Sequence, residues 1–158
     1  MDTVLVAYAT KHGSTREVAA DVARVLRQAG FEVEINPARD VKSLDHFQAV
    51  VLGGALYMGR LHKDARKLLK RARGELASLP LAVFAMGPNS TEPEELAAAG
   101  AQLKRALGAV PELEPLATAV FGGVRKFGKK KMLDARDWNA IQAWAEDVAR
   151  KLSKPPAR

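Results

Sequence analysis

The sequence has no cysteine among its 158 residues, which excludes a disulfide framework, a thiolate nucleophile, thiolate-bound zinc and iron–sulfur ligation, and agrees with a reducing compartment. Histidine is scarce too: His12, His46 and His62 share no metal-ligand spacing, and no nucleophile elbow accompanies them. Aromatic residues make up only 6% and do not interleave with the lysines and arginines as base-stacking platforms would, so nucleic acid is a disfavoured partner. The apolar run from Ala49 to Gly59 falls well short of the ~18 residues that a membrane span requires. Met1-Asp2-Thr3 carries no basic leader segment. The expectation is a soluble, cytoplasmic protein.

Positive charge is what the chain has in excess. Lysine plus arginine number 25 against 18 acids, a formal charge of +7 with a sequence pI near 9.9, which favours acidic proteins, anionic lipid headgroups or nucleic acid as partners. Apolar residues make up 47%, as in an ordinary globular domain. A chain of this length buries about two-thirds of its unfolded surface, enough for a core without metal or disulfide. One domain is expected over residues 1–152, followed by a disordered tail, 153–158, that contains Pro155-Pro156.

Periodicity divides the chain into alternating elements. Thr3 to Tyr8 is a buried strand, and from Ser14 the period turns helical, with Val18, Val22 and Leu26 on one face and Gly30 as the stop. Phe31 to Ile35 alternates with period two and reads as an outer strand. Ala49 to Gly53 is a continuous apolar strand ended by Gly53-Gly54. Leu61, Ala65, Leu68, Leu69, Ala72 and Leu76 then form the stripe of a single helix. Leu81 to Met86 is a further buried strand, followed by a helix over Pro93 to Leu107 capped by Ser90 or Thr91. Leu116 to Phe121 reads as the last strand, closed by Gly122-Gly123. A final helix capped by Asp134 or Asp137 presents Trp138, Ile141, Ala145, Val148 and Leu152. Such alternation predicts an α/β fold of three layers with a largely parallel sheet.

In open α/β sheets, ligands bind beyond the carboxyl ends of the strands. The first such loop, Thr10-Lys11-His12-Gly13-Ser14-Thr15, joins a strand to a helix N-terminus, where free amides, a glycine and hydroxyls suit a phosphate monoester. The same groups suit a plain helix cap, and the residues alone leave both open. The loop is neither a P-loop nor a Gly-x-Gly-x-x-Gly fingerprint.

The stretch Val6-Ala7-Tyr8-Ala9-Thr10-Lys11-His12-Gly13-Ser14-Thr15, continuing to Ala19 and Val22, resembles the phosphate-binding signature of the flavodoxins, with Ala7 where a larger apolar residue is usual. The likeness continues through Leu52 to Lys63, Met86-Gly87-Pro88, Phe121-Gly122-Gly123 and Arg136-Asp137-Trp138, and is similar to the bacterial group that contains the menaquinone-dependent protoporphyrinogen oxidases. It implies a flavodoxin-like three-layer α/β fold with a five-stranded parallel sheet of order 2-1-3-4-5, helices on both faces, and FMN as cofactor. Thr10, Ser14 and Thr15 would hold the FMN phosphate through hydroxyls and, with Gly13, backbone amides, while Lys11 and His12 add charge at the rim. Ala55, Leu56, Tyr57, Met58 and Gly59 would line one side of the isoalloxazine ring, and Gly87, Pro88, Asn89 and Ser90 the other. Tyr57 is the candidate stacking partner, and Gly53, Gly54 and Gly59 would leave the ring room. His62 is the candidate proton carrier, its alternative being a capping residue. The implied role is redox: an electron carrier or an FMN-dependent oxidoreductase, linked to a quinone or a porphyrinogen.

Two basic clusters differ from the acidic surface of typical flavodoxins. One runs from Arg60 to Arg73, where Asp64 is the one acid, and the other is Arg125-Lys126-Phe127-Gly128-Lys129-Lys130-Lys131. They suit an acidic protein or an anionic membrane surface, which would make the protein peripheral at the inner face of a membrane. The Gly123–Asp134 connection that holds the second cluster is shorter than the segment inserted there in the oxidase group. A competing reading keeps the fold, drops the flavin, and makes the basic surface an interaction module for an acidic protein or nucleic acid. A phosphorylated receiver domain is excluded, since Ala9-Thr10 and Gly53-Gly54 stand where its acids would have to hold Mg²⁺.

Overall fold

A computed structural model describes residues 2–11, 13–88, 92–127 and 131–153, with backbone alone at 125–127 and 131–132. The chain runs β1 (Thr3–Ala9), α1 (Ser14–Gln28), β2 (Glu32–Pro37), a 3-10 turn (Ala38–Asp40), β3 (Ala49–Tyr57), β4 (Arg60–Leu61), α2 (Lys63–Arg71) and α3 (Arg73–Ala77). It continues with β5 (Leu81–Met86), α4 (Pro93–Gly108), β6 (Ala117–Phe121), β7 (Val124–Phe127), β8 (Lys131–Asp134) and α5 (Trp138–Ser153). Ser153 thus closes a helix, with its Oγ donating to the Ala149 carbonyl at 2.8 Å; residues 154–158 of the expected tail lie outside the described residues.

The principal sheet has the order β2-β1-β3-β5-β6, every neighbouring pair parallel. With the two-residue β4 set aside, this is the expected order. Helices cover both faces because residues 4–7 of β1, residues 49–52 of β3 and Leu81–Met86 of β5 are apolar at every position rather than at alternate ones. Val4, Val6, Val51 and Phe84 meet Val18, Val22 and Leu26 of α1 and Ile141 and Val148 of α5. Leu5, Leu52 and Val83, one residue out of phase, meet Leu61 of β4, Leu68 and Leu69 of α2 and Leu103 of α4. β2, on the edge, keeps the period-two exposure its sequence announced.

Four local expectations are corrected. Gly53-Gly54 does not end a strand but lies inside β3, which runs on to Tyr57. A Cβ on Gly53 would enter the ring of Phe84, and one on Gly54 would come within 2.7 Å of Leu61 Cδ1. Close packing, not room for a flavin ring, therefore requires those two glycines. The helix expected through Leu76 breaks at Ala72, whose φ of −106° and ψ of 14° separate α2 from α3; Gly74, a poor helix former, follows the break. Glu92, not Ser90 or Thr91, holds the N-cap position of α4, and those two residues lie outside the described ones. Beyond β6 the chain is not a plain connection: β7 and β8 pair antiparallel, Val124 opposite Asp134 and Phe127 opposite Lys131. Among the described residues no helix is long and apolar enough to cross a membrane.

Candidate functional site

The sheet order reverses between β1 and β3, and the loops leaving the carboxyl ends of these two strands flank the crevice where such sheets bind ligands. In the first loop, Thr10 Oγ1 accepts a hydrogen bond from the Gly13 amide at 3.0 Å. Gly13 takes φ +91°, which an L side chain rarely adopts, and caps α1 without a side-chain bond. Ser14, Thr15 and Arg16 open the helix, and first-turn amides have no intrahelical acceptor. Thr15 is fully buried, and among the described residues its Oγ1 has no hydrogen-bond partner. An unpaired buried hydroxyl costs about 1–3 kcal/mol, which an oxyanion seated on the first turn would remove. Because no part of Thr15 is exposed, the oxyanion reaches it only with a shift of the groups that cover it. His12 lies outside the described residues.

The second loop is a tight hairpin. Tyr57 pairs with Arg60 and Leu56 with Leu61, while Met58 and Gly59 turn the chain at φ 53° and 75°, the positive-φ pair of a two-residue hairpin turn. The turn lifts Tyr57 and Met58 into solvent, 62% and 82% exposed. Lys11 of the first loop lies over the Tyr57 ring, 4.8 Å from its centroid. That contact joins the two loops over one face of the tyrosine. His62 caps α2: its Nδ1 accepts from the Asp64 amide at 3.0 Å, and its own amide donates to the Ala55 carbonyl at 2.8 Å. The capping role is thus the one observed.

The third loop packs on the second, since a Cβ on Gly87 would touch Leu56 Cβ at 3.5 Å. The Gly87–Pro88 peptide is cis, and Asn89 and Ser90 lie outside the described residues. The Gly87 amide donates to the Phe121 carbonyl at 2.9 Å, the Gly123 amide to Pro88 at 2.7 Å and the Ala135 amide to Gly123 at 2.9 Å.

Arg136 completes this chain of loops, and sequence reasoning had noted it only as part of a helix start. Its side chain, 9% exposed, reaches Asp134 at 2.7 Å and Glu17 of α1 at 2.9 Å, and its guanidinium lies over the Trp138 ring, 4.9 Å from the centroid. The Arg136 hydrogen bond holds the Asp134 carboxyl below its usual range against desolvation, and the Asp134 bond raises Arg136 in turn. No local pattern announces such a residue, because Glu17 lies 119 positions away.

A doubly wound parallel sheet with an amide-rich strand-to-helix loop at its switch point defines the class of α/β proteins that seat a phosphorylated cofactor at the carboxyl edge. Within that class the chain belongs to the flavodoxin domain family, which it matches over residues 5–137. It is 19% identical to protoporphyrinogen IX dehydrogenase [quinone] of Escherichia coli K12, across 96% of this chain and 97% of that protein. Oxidised flavodoxin 1 of Bacillus cereus superposes with a TM-score of 0.68 at 19% identity, covering 96% of this chain and 99% of the other. Rubredoxin oxygen:oxidoreductase of Desulfovibrio gigas superposes with a TM-score of 0.67 at 16% identity, covering 96% of this chain but 36% of the larger one.

The family implies FMN as the cofactor. The chain fits it at the first loop, through the first-turn amides and the unpaired Thr15 hydroxyl, and at the second, through the exposed face of Tyr57. Among the described residues no cluster of histidine and acids could hold a metal ion.

Proposed function

We propose that this flavodoxin-domain protein is an FMN-dependent redox protein whose partners react beside Tyr57 and Met58, and that it serves quinone- or porphyrinogen-linked oxidation or reduction. The observation that carries the reading is the juxtaposition of a buried, unpaired Thr15 hydroxyl at a helix N-terminus with an exposed tyrosine bridged to the same loop by Lys11. When bound, FMN supplies one- and two-electron transfer, so no side-chain nucleophile is needed.

The chain's own groups bind and orient. Thr10 holds Gly13 in the conformation that frees the amides of the first turn, Ser14 and Thr15 offer hydroxyls to a phosphate, and Lys11 adds charge. Ala55 to Gly59 and Gly87 to Ser90 are the walls of the ring site in this reading. His62, fixed through Nδ1, is left with Nε2 for a proton. The quinone or porphyrinogen link rests on the name of the Escherichia coli relative. The basic surface supports an acidic protein or the anionic inner face of a membrane as the docking partner.

The test is to purify the protein, record its visible spectrum and titrate FMN while following flavin fluorescence. Yellow protein, or saturable quenching, is expected. Colourless protein that ignores FMN would overturn the reading and leave a flavodoxin-shaped interaction module.

A further inference from the structure

One cavity takes no part in the redox reading. It lies between β4, α2 and α4, has a volume of about 150 Å³, and is rimmed by Arg60, Arg66, Lys70 and Arg105 with the Gln102 amide beside them. Among the described residues no carboxylate lines it, and none of the four cations is ion-paired. Arg66 is already held: its Nε donates to the Leu61 carbonyl at 2.9 Å, which fixes the guanidinium plane and leaves both amino nitrogens available. The floor is apolar, made by Leu61, Leu69, Ala106 and Val110.

These features select a ligand chemistry. Cations gathered on one rim repel each other, and an oxyanion relieves that repulsion while accepting the forked hydrogen bonds that arginine offers. A doubly charged group uses several cations better than a single carboxylate does. Pockets for drug-sized ligands run about 300–1,000 Å³, so this one suits a phosphate group on a short apolar arm. Gly59 and Arg60 line the cavity and also form the turn and return strand beside Tyr57, so an occupant would lie against the loop that faces the redox partner. The FMN phosphate loop, by contrast, is built on β1 and α1.

We propose that this cavity is an anion subsite that takes the phosphate group of a phosphorylated ligand other than the flavin. The source is either a phospholipid headgroup or a soluble phosphorylated molecule, and the two are separable.

The test uses the ¹⁵N-labelled chain with FMN added to saturation, titrated with inorganic phosphate at constant ionic strength so that general screening does not change. Saturable shifts are expected at the amides of Gly59, Leu61, Leu69, Gln102 and Ala106, with about tenfold weaker binding in the Lys70→Gln/Arg105→Gln double variant. Those two residues are on the exposed rim, so the variant keeps its core and the Arg66–Leu61 bond. Shifts that spread over the basic surface without saturating, or saturation that the double variant leaves unchanged, would overturn the proposal. Shifts confined to Ser14–Glu17 would overturn it too and, with FMN at saturation, would show that the flavin does not fill the α1 loop, so the failures of the two readings are distinguishable. Co-sedimentation with phosphatidylcholine vesicles that contain phosphatidic acid then names the source. Retention that the double variant abolishes points to a lipid headgroup, and phosphate saturation without retention points to a soluble ligand.

Discussion

Thr15 is where folding and binding oppose each other. Its buried Oγ1 has no partner among the described residues, so the ligand-free protein carries the desolvation penalty of that hydroxyl. Thr15→Val keeps the shape and removes the polar atom. The ligand-free variant is expected to gain about 1 kcal/mol of stability in urea unfolding, while its FMN affinity falls by about fivefold or more. Equal loss of both would mean that the hydroxyl has a partner and that its role is structural. Gly53 makes the contrasting case. A methyl group there enters the ring of Phe84, which is fully buried and held by Phe121 and Trp144 at centroid distances of 6.0 and 5.7 Å. Gly53→Ala is therefore expected to lower stability by about 1–3 kcal/mol, read as an earlier urea midpoint with an unchanged slope.

At the level of elements, the connection between the end of β8 and the start of α1 runs through Arg136. It draws Asp134, Arg136 and Glu17 into one network beneath the loop that would hold the phosphate. The Asp134 carboxyl titrates below its usual range because Arg136 donates to it. A depressed carboxyl contributes stability that is complete above the unfolded pKa, about 3.9, and is lost as pH falls through the lower folded value. The stability advantage of the native protein over Asp134→Asn should therefore be constant from pH 7 to about pH 5 and shrink below about pH 4. Urea unfolding of both proteins across that range checks it, with the carboxylates outside this network cancelling in the difference. Glu17, which shares Arg136, is removed by repeating the pair in a Glu17→Gln background. An advantage that widened toward acid would refute the assignment.

This element was only partly legible beforehand. The layered, largely parallel sheet followed from alternating elements and from apolar runs too continuous for an exposed face. The strand order followed from the family resemblance alone, and the first loop from Gly13, Ser14 and Thr15 between a strand and an amphipathic stripe. The β7–β8 hairpin was missed because Arg125 to Lys131 shows charge where a strand would show alternation. The Met58-Gly59 turn lacks the Asn-Gly signal that announces a tight hairpin. Gly53-Gly54 read as punctuation because sequence shows the missing side chain but not Phe84 and Leu61, which need its absence.

The whole molecule sets the electrostatic background in which this site would work. A net charge of +7 produces a field that favours negative charge anywhere near the surface. FMN gains negative charge when fully reduced at neutral pH, so the field should raise its reduction potential relative to that in acidic flavodoxins. The effect is separable from local contacts by salt. Exposed charges are screened over about 10 Å at 0.1 M ionic strength and over about 30 Å at 0.01 M, whereas hydrogen bonds to the ring are not. The midpoint potential of the holoprotein should therefore fall as salt is raised across that range, and an acidic flavodoxin measured alongside should move the other way. A potential that rises with salt would show that the field at the ring is negative. A redox titration in which the potential does not move with salt, or in which both proteins shift alike, would show that the surface field does not reach the ring. The positive surface would then act through docking alone, by drawing an anionic partner to the face that carries Tyr57 and Met58.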